Sequence, residues 1–236
     1  MTARKEANQV ASSRSSDCYK ECGTRRHDLA MNEPTVRVLV FDVMETLVRE
    51  PFYREVPEFF GMSLGQLIEA KDPEAWIRFE NGEIDEARFL ETFFTDRRAF
   101  DHQGFRATFQ RSYAWIDGME SLLAELKALG VQMHILSNYP VWYRWIEERL
   151  QVSRYLPWTF VSSETKVRKP TAEAFRGVAT RLGVPPGDLV LIDDRPENCR
   201  GARECGWEAV RFTTANALRS ELFDHVLRPR DRELGA

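Results

Sequence analysis

Five short apolar runs punctuate this chain, at Val36–Phe41, Val131–Ser137, Thr159–Ser163, Leu189–Ile192 and Ala209–Phe212. Helical patterns separate the later ones, at Met119–Leu129, Val141–Val152, Ala172–Leu182 and Glu197–Gly206. Each parallel strand needs a crossover to reach its neighbour, so strands alternating with helices predict a parallel sheet covered on both faces. The expected fold is α/β, with a doubly wound, Rossmann-like sheet. A chain of 236 residues, 43% hydrophobic, has enough apolar side chain for one good-sized core of this kind.

The gap between the first two runs is far longer than a crossover requires. Most of it, about 50–115, reads as several helices, and the segment DEARFLETFF (Asp85–Phe94) places Phe89, Phe93 and Phe94 on one helical face. A helical insertion just after the first strand would sit above the C-terminal strand ends, where open α/β sheets bind ligands. The expected division is 34–48 plus 116–228 as the core, 49–115 as a small helical cap, and tails at 1–33 and 229–236. Residues 1–33 are polar, rich in Ser, Arg and Lys, and without periodicity, which is the composition of a disordered tail. Glu6, Asp17, Glu21 and Asp28 are many acids for a transit peptide, so a cytoplasmic location is expected, with a plastid as the alternative if the tail is a targeting segment.

A net charge of −4 gives no bulk electrostatic case for nucleic acid or an anionic membrane, and no apolar run reaches the ~18 residues of a spanning helix. Cys18, Cys22, Cys199 and Cys205 form no disulfide or zinc framework; the last two read as thiols packed on a helix. Oligomeric state is not legible at this stage.

The chemistry sits where the runs stop. Asp42 follows VRVLVF directly, with Thr46 four residues on. A carboxylate at the end of a buried strand needs a cation or donors nearby, because the apolar strand removes its water. The second run ends in Ser137 and Asn138, where a hydroxyl and a backbone N–H suit an anionic oxygen. Lys169 precedes Pro170, read as the first residue of a helix. The fourth run leads into Asp193 and Asp194, adjacent carboxylates that repel unless a cation lies beside them; a hard ion such as Mg²⁺ prefers oxygen ligands. One acid, one hydroxyl, one lysine and an acidic pair, each beyond a successive strand, converge on one spot.

In order and spacing this set resembles the haloacid dehalogenase superfamily, over nearly everything from Val36 to about Phe223. IDGMESLLAELKALG and LGVPPGDLVLIDD are similar to that family's lead-ins to its second and fourth motifs, and DVMETLVREPFYREVPEFFGMSL and SNYPVWYRWIEERL resemble plant and algal members described as flavin mononucleotide phosphatases. The resemblance implies a hydrolase of a small phosphate ester in which Asp42 is the nucleophile and forms an aspartyl phosphate. Ser137 and Lys169 would bind the phosphoryl oxygens, with Asn138 and Tyr139 also facing substrate. Mg²⁺ would be held by Asp42, Asp194 and the backbone carbonyl of Met44, with Asp193 also part of the metal site.

The chain departs from that pattern at one point. Phosphatases of the family carry a second Asp two residues after the nucleophile as general acid and base, and here that residue is Met44, with Glu45 where glycine is usual. Three rescues are open: Glu45 turning inward, an acid from the cap, or a leaving group that needs no proton. Two other readings stay alive: a metal-independent dehalogenase, against which the Asp193–Asp194 pair argues, and a catalytically weak domain that only binds. Aromatic residues Phe52, Tyr53, Phe59, Phe60, Trp76, Phe79, Trp142, Tyr143 and Trp145 would mostly pack the cap onto the core, with a flat ligand ring stacking on some. Arg54 and Arg78 read as solvated charges, His134 as a structural histidine, and Asn198 as a partner of the metal-side acids.

Overall fold

Side chains alternate across a strand, and in β1 (Val38–Phe41) all four are buried because both faces are covered. A computed structural model describes residues 37–227. The other strands are β2 (Met133–Ser137), β3 (Phe160–Val161), β4 (Leu189–Asp193) and β5 (Glu208–Arg211). They form one five-stranded parallel sheet in the order β3-β2-β1-β4-β5. Between β1 and β2 run α1 (Glu55–Phe60), α2 (Leu64–Ala70), α3 (Ala75–Glu80), α4 (Glu86–Thr92), α5 (His102–Ser112) and, leading into β2, α6 (Met119–Ala128). After β2 come α7 (Tyr143–Leu150), α8 (Ser162–Thr165), α9 (Ala172–Leu182), α10 (Pro196–Glu204) and α11 (Ala215–Glu221).

The two faces of β1 belong to different layers. Val38 and Val40 pack with Phe175 and Val178 of α9 and Ala202 of α10, whereas Leu39 and Phe41 pack with Leu122, Leu123 and Leu126 of α6 and Leu218 of α11. The sheet is therefore doubly wound, and the expected α/β class holds. His134, the second residue of β2, hydrogen-bonds Thr159 through Nδ1 at 2.8 Å. Among the described residues no helix is long and apolar enough to cross a membrane. The expectations for residues 1–33, including Cys18 and Cys22, and for 229–236 lie outside the described residues.

Two local expectations fail. The third run was expected to stay extended to Ser163, but pairing stops at Val161 and Ser162 opens α8. The Ser162 hydroxyl accepts from the Tyr139 N–H at 3.0 Å and donates to the carbonyl of Glu80, and these long-range bonds replace the ladder. Pro170 is not the first residue of α9 either. That helix begins at Ala172 behind an extended Thr171, and Lys169–Pro170 forms a separate turn. Gly201 of α10 lets that turn come close, because a Cβ there would lie 2.8 Å from the Pro170 carbonyl oxygen.

Helices α1–α5 pack as an aromatic cluster over the strand ends. Phe79 and Phe89 stack at 4.6 Å, and Phe93, Phe94 and Phe105 are buried with them. Trp142, from the turn after β2, reaches up to Phe79 at 5.2 Å, Phe89 at 5.5 Å and Phe109 at 4.9 Å. Cap and core thus share one apolar core. Trp142→Ala is expected to cost about 3–5 kcal/mol in urea unfolding; a loss below about 1 kcal/mol would mean the shared ring cluster contributes little. Polar ties reinforce the seat. Arg168 pairs with buried Glu80 at 2.7 Å, and Lys166 donates to the Gly82 carbonyl at 2.8 Å. Gly82 has φ +64°, and a Cβ would lie 2.5 Å from the Ser163 carbonyl oxygen, so this turn of the cap needs glycine twice over. The insertion leaves and rejoins the core at a single place: Arg49 N–H donates to Ala114, Ile116 N–H donates to Leu47, and Val48 bridges Trp115 antiparallel.

Candidate active site

Register brings the acids together. Phe41 of β1 pairs with Ile192 of β4, and the Asp42 N–H donates to the Ile192 carbonyl at 2.9 Å, so Asp42 and Asp193 leave neighbouring strands at the same level. Lys169 enters from the turn before α9. Its Nζ lies 2.8 Å from Asp42 Oδ1 and 2.6 Å from Asp193 Oδ2, and the residue is 1% exposed. A buried cation between two buried carboxylates is tolerable only because each desolvated charge has a partner.

The partners hold one another in place. Asn138 accepts from the Lys169 N–H and donates to the Lys169 carbonyl, both at 2.9 Å, which fixes where the lysine starts. Its side-chain amide thus positions the lysine, and the residue also lines the crevice above Asp42. Asn198 donates to both oxygens of Asp193 at 3.0 Å, and the Arg195 N–H donates to Asp193 Oδ1 at 2.9 Å. One carboxylate oxygen from each of Asp42, Asp193 and Asp194 falls within 4.8 Å of the others. Asp194 is half-buried and its Oδ1 has no hydrogen-bond partner in the protein. Burial pushes the Asp42 carboxyl up, Lys169 opposes it, and Asp193 and Asp194 add to the rise. Burial would lower the Lys169 ammonium, but Asp193 and Asp42 outweigh it and hold the lysine charged.

The remaining sequence candidates are placed as follows. Ser137 ends β2 with its hydroxyl buried and unpartnered. Met44 and Glu45 line the crevice above Asp42. Glu45 has φ +56°, the left-handed conformation that favours glycine, and its Oε1 accepts the Glu50 N–H at 2.6 Å. Tyr139 forms part of the crevice wall but is 1% exposed, with its hydroxyl 2.9 Å from that of Tyr113 and its ring against Trp76. It is a packed wall and not an open stacking platform. Arg54 and Arg78 lie in solvent beside Glu58 and Glu83.

The crevice, about 60 Å³, shares lining residues with a neighbouring cap cavity of about 240 Å³ walled by Phe52, Tyr53, Trp76, Phe89 and Phe93. Sequence reasoning passed over four charged residues here: Glu50, Glu80, Arg168 and Arg195. Arg168 and Arg195 adjoin Lys169 and Asp194, so nearness in sequence was an available signal. Glu50 carries no motif. Burial pushes its carboxyl up to about 8, and the Phe52 N–H, donating to Glu50 Oε1 at 3.1 Å, opposes the rise.

A family model for haloacid dehalogenase-like hydrolases matches residues 36–206. The chain belongs to the haloacid dehalogenase-like hydrolases. It is 43% identical over 202 residues to the chloroplastic flavin mononucleotide hydrolase 1 of Arabidopsis thaliana, covering 86% of this chain and 82% of that one. It is 25% identical over 163 residues to the sesquiterpene phosphatase astK of Aspergillus oryzae, covering 67% of this chain and 81% of that one. Among solved structures, a haloacid dehalogenase family enzyme of Bacteroides thetaiotaomicron, an Asp-to-Ala mutant in complex with magnesium and inorganic phosphate, superposes with a TM-score of 0.65 at 21% identity, over 76% of this chain and 95% of that one. L-2-haloacid dehalogenase of Xanthobacter autotrophicus superposes with a TM-score of 0.58 at 18% identity, over 82% and 85%. Both likenesses concern the fold. For a haloacid dehalogenase-like hydrolase the turn after Asp42 is the departure, and its geometry shows why glycine is usual at position 45: the backbone there is left-handed whatever the side chain.

Proposed function

We propose that this haloacid dehalogenase-like hydrolase is a phosphatase of small phosphate monoesters, with flavin mononucleotide its foremost substrate. The observation that carries the reading is Lys169, which reaches Asp42 at 2.8 Å from a fully buried position while Asn138 clamps its backbone. Such a lysine favours the ionised form of Asp42 against its burial, for in-line attack on phosphorus, and meets the phosphoryl oxygens with a fixed positive charge. The unpartnered Ser137 hydroxyl would donate to a phosphoryl oxygen as the nucleophile bonds. The product of that first step is an aspartyl phosphate on Asp42, which water then hydrolyses.

The donor set also fits a divalent cation. Asp194 Oδ1 is a buried acceptor with no protein donor, beside Asp42, and all the candidates are hard oxygens. Asp42, Asp194 and the Met44 carbonyl would hold Mg²⁺; both oxygens of Asp193 are committed to Lys169, Asn198 and Arg195, so Asp193 would orient the lysine. Bound there, Mg²⁺ would offset the charge of the phosphoryl group. Residues 34–48 and 116–228 would carry this chemistry, and 49–115 would act as the cap.

Two things support flavin mononucleotide: the activity in the name of the 43%-identical relative, and a cap cavity walled by aromatic rings, which suits a flat ring system. The chloroplastic description of that relative favours the plastid over the cytoplasm for residues 1–33. Phosphate release from flavin mononucleotide, p-nitrophenyl phosphate and a sugar phosphate panel tests the reading. Release is expected with Mg²⁺, should stop with EDTA and should return on adding excess Mg²⁺. Halide release from 2-haloacids without phosphate release would establish the dehalogenase instead, and no turnover of either kind would establish a binding domain.

A further inference from the structure

Four residues line both the crevice above Asp42 and the cap cavity: Glu50, Tyr53, Trp76 and Arg195. A monoester with phosphorus at Asp42 and its organic group in the cap cavity must place its bridging oxygen at this seam. When the ester is an alkyl one, that oxygen leaves as an alkoxide and needs a proton. Met44, at the position where the family carries its acid, has none to give.

Only one residue at the seam can give and retake a proton near neutral pH. The Arg195 guanidinium is held charged by Tyr53, Asp194 and Asp42, and the Trp76 indole N–H donates hydrogen bonds without ionising. Burial holds the Tyr53 phenol above its usual value of 10. Glu45 lines only the crevice, where its Oε1 accepts the Glu50 N–H, and Glu80 is paired with Arg168. We propose that Glu50 is the general acid and base of this hydrolase, protonating the bridging oxygen of alkyl phosphates. The inference rests on the phosphatase reading.

Its surroundings suit the task. Glu50 is faced by Glu45 from the nucleophile turn, Tyr53 from its own turn, Glu80 of α3, Tyr113 after α5, Tyr139 after β2 and Arg195 at the head of α10. Burial, with Glu45 and Glu80 adding to it, outweighs the Phe52 N–H and Arg195, and brings the carboxyl to about 8, so it is protonated at neutral pH. In the first half-reaction a carboxylate oxygen of Asp42 bonds to phosphorus, the ester P–O bond breaks, and the Glu50 proton passes to the departing oxygen, which leaves as an alcohol. In the second, water attacks phosphorus and gives its proton to Glu50. The bond to Asp42 breaks, phosphate departs, and both carboxyl groups return to their starting states.

The test is Glu50→Gln in the full chain with Mg²⁺. Gln keeps the size of the side chain and an oxygen for the Phe52 N–H. The readout is kcat/KM, which reports the first half-reaction, on flavin mononucleotide and glycerol 3-phosphate as alkyl esters and p-nitrophenyl phosphate as the aryl ester. The alkyl rates should fall roughly 10²–10⁴-fold, and the aryl rate less than about tenfold, because nitrophenolate leaves unprotonated. Wild-type kcat/KM on the alkyl esters should fall as pH rises through about 8, where the acid form is lost, and the variant should lack that limb. Equal losses on both ester types, no loss on either, or a limb that survives the substitution would overturn the assignment of Glu50 while leaving the phosphatase reading intact. A wild type inactive on every ester would overturn the phosphatase reading, and the role of Glu50 with it. Thermal unfolding reports the proton without catalysis. A carboxyl at about 8 folded against 4.5 unfolded holds more proton in the native state, so wild-type stability falls as pH rises across that window, and Glu50→Gln should flatten the decline.

Discussion

Asp42→Asn is expected to lower phosphate release by a factor of roughly 10⁴ or more while leaving the protein as stable as before or more so. An amide oxygen is a poor nucleophile and cannot form the acyl phosphate, so no partial route through this residue remains. Stability moves the other way because the wild-type carboxylate is disfavoured by burial and by the neighbouring charges of Asp193 and Asp194. Asn keeps an oxygen for Lys169, and the lysine keeps its 2.6 Å contact with Asp193. A phosphate assay beside a thermal melt checks both halves. Release within about tenfold of wild type from folded protein would mean that Asp42 is not the nucleophile.

Lys169→Met should be the most damaging single change to the site, abolishing release and costing about 3–5 kcal/mol in urea unfolding at neutral pH. The methionine fills the same volume, so the loss is electrostatic: Asp42 and Asp193 would face each other in a desolvated pocket with no cation between them. The deficit should shrink as pH falls, because protonated carboxyls no longer repel. Adding Asp193→Asn should restore part of the stability and none of the activity. A variant as stable as wild type would show that the pocket admits enough water or salt to replace the ammonium.

Much of this was legible in the chain because the informative residues follow apolar runs directly. Asp42 and the Asp193–Asp194 pair lie at or just past the ends of strands whose side chains are buried on both faces, and parallel register then leaves little choice about where they meet. Lys169 was legible only as a member of a series; what turns it inward is Asn138, holding its backbone from 31 residues away. Where long-range bonds decided the outcome, local pattern failed. Ser162 leaves the strand for Tyr139 and Glu80, and Tyr139, expected to face substrate, is closed in by Tyr113 and Trp76. Glu50 was invisible for the same reason. Nothing about a glutamate at the start of an insertion marks it, and its environment exists only once the cap has closed over the strand ends.

The antiparallel bridge at Val48 and Trp115 has a consequence for how such enzymes diversify. The departing and returning chains are already side by side where they leave the sheet, so the helical layer hangs from the nucleophile strand as if from one stem. A different lid would have to match only those few backbone positions to be accepted, because closing the ends together adds little entropy cost as the intervening length changes. The acids and lysine below would be untouched by such an exchange, whereas Glu50 would be replaced with the lid. In this lineage the proton donor and the choice of substrate would then be inherited as one piece, separately from the group that attacks phosphorus.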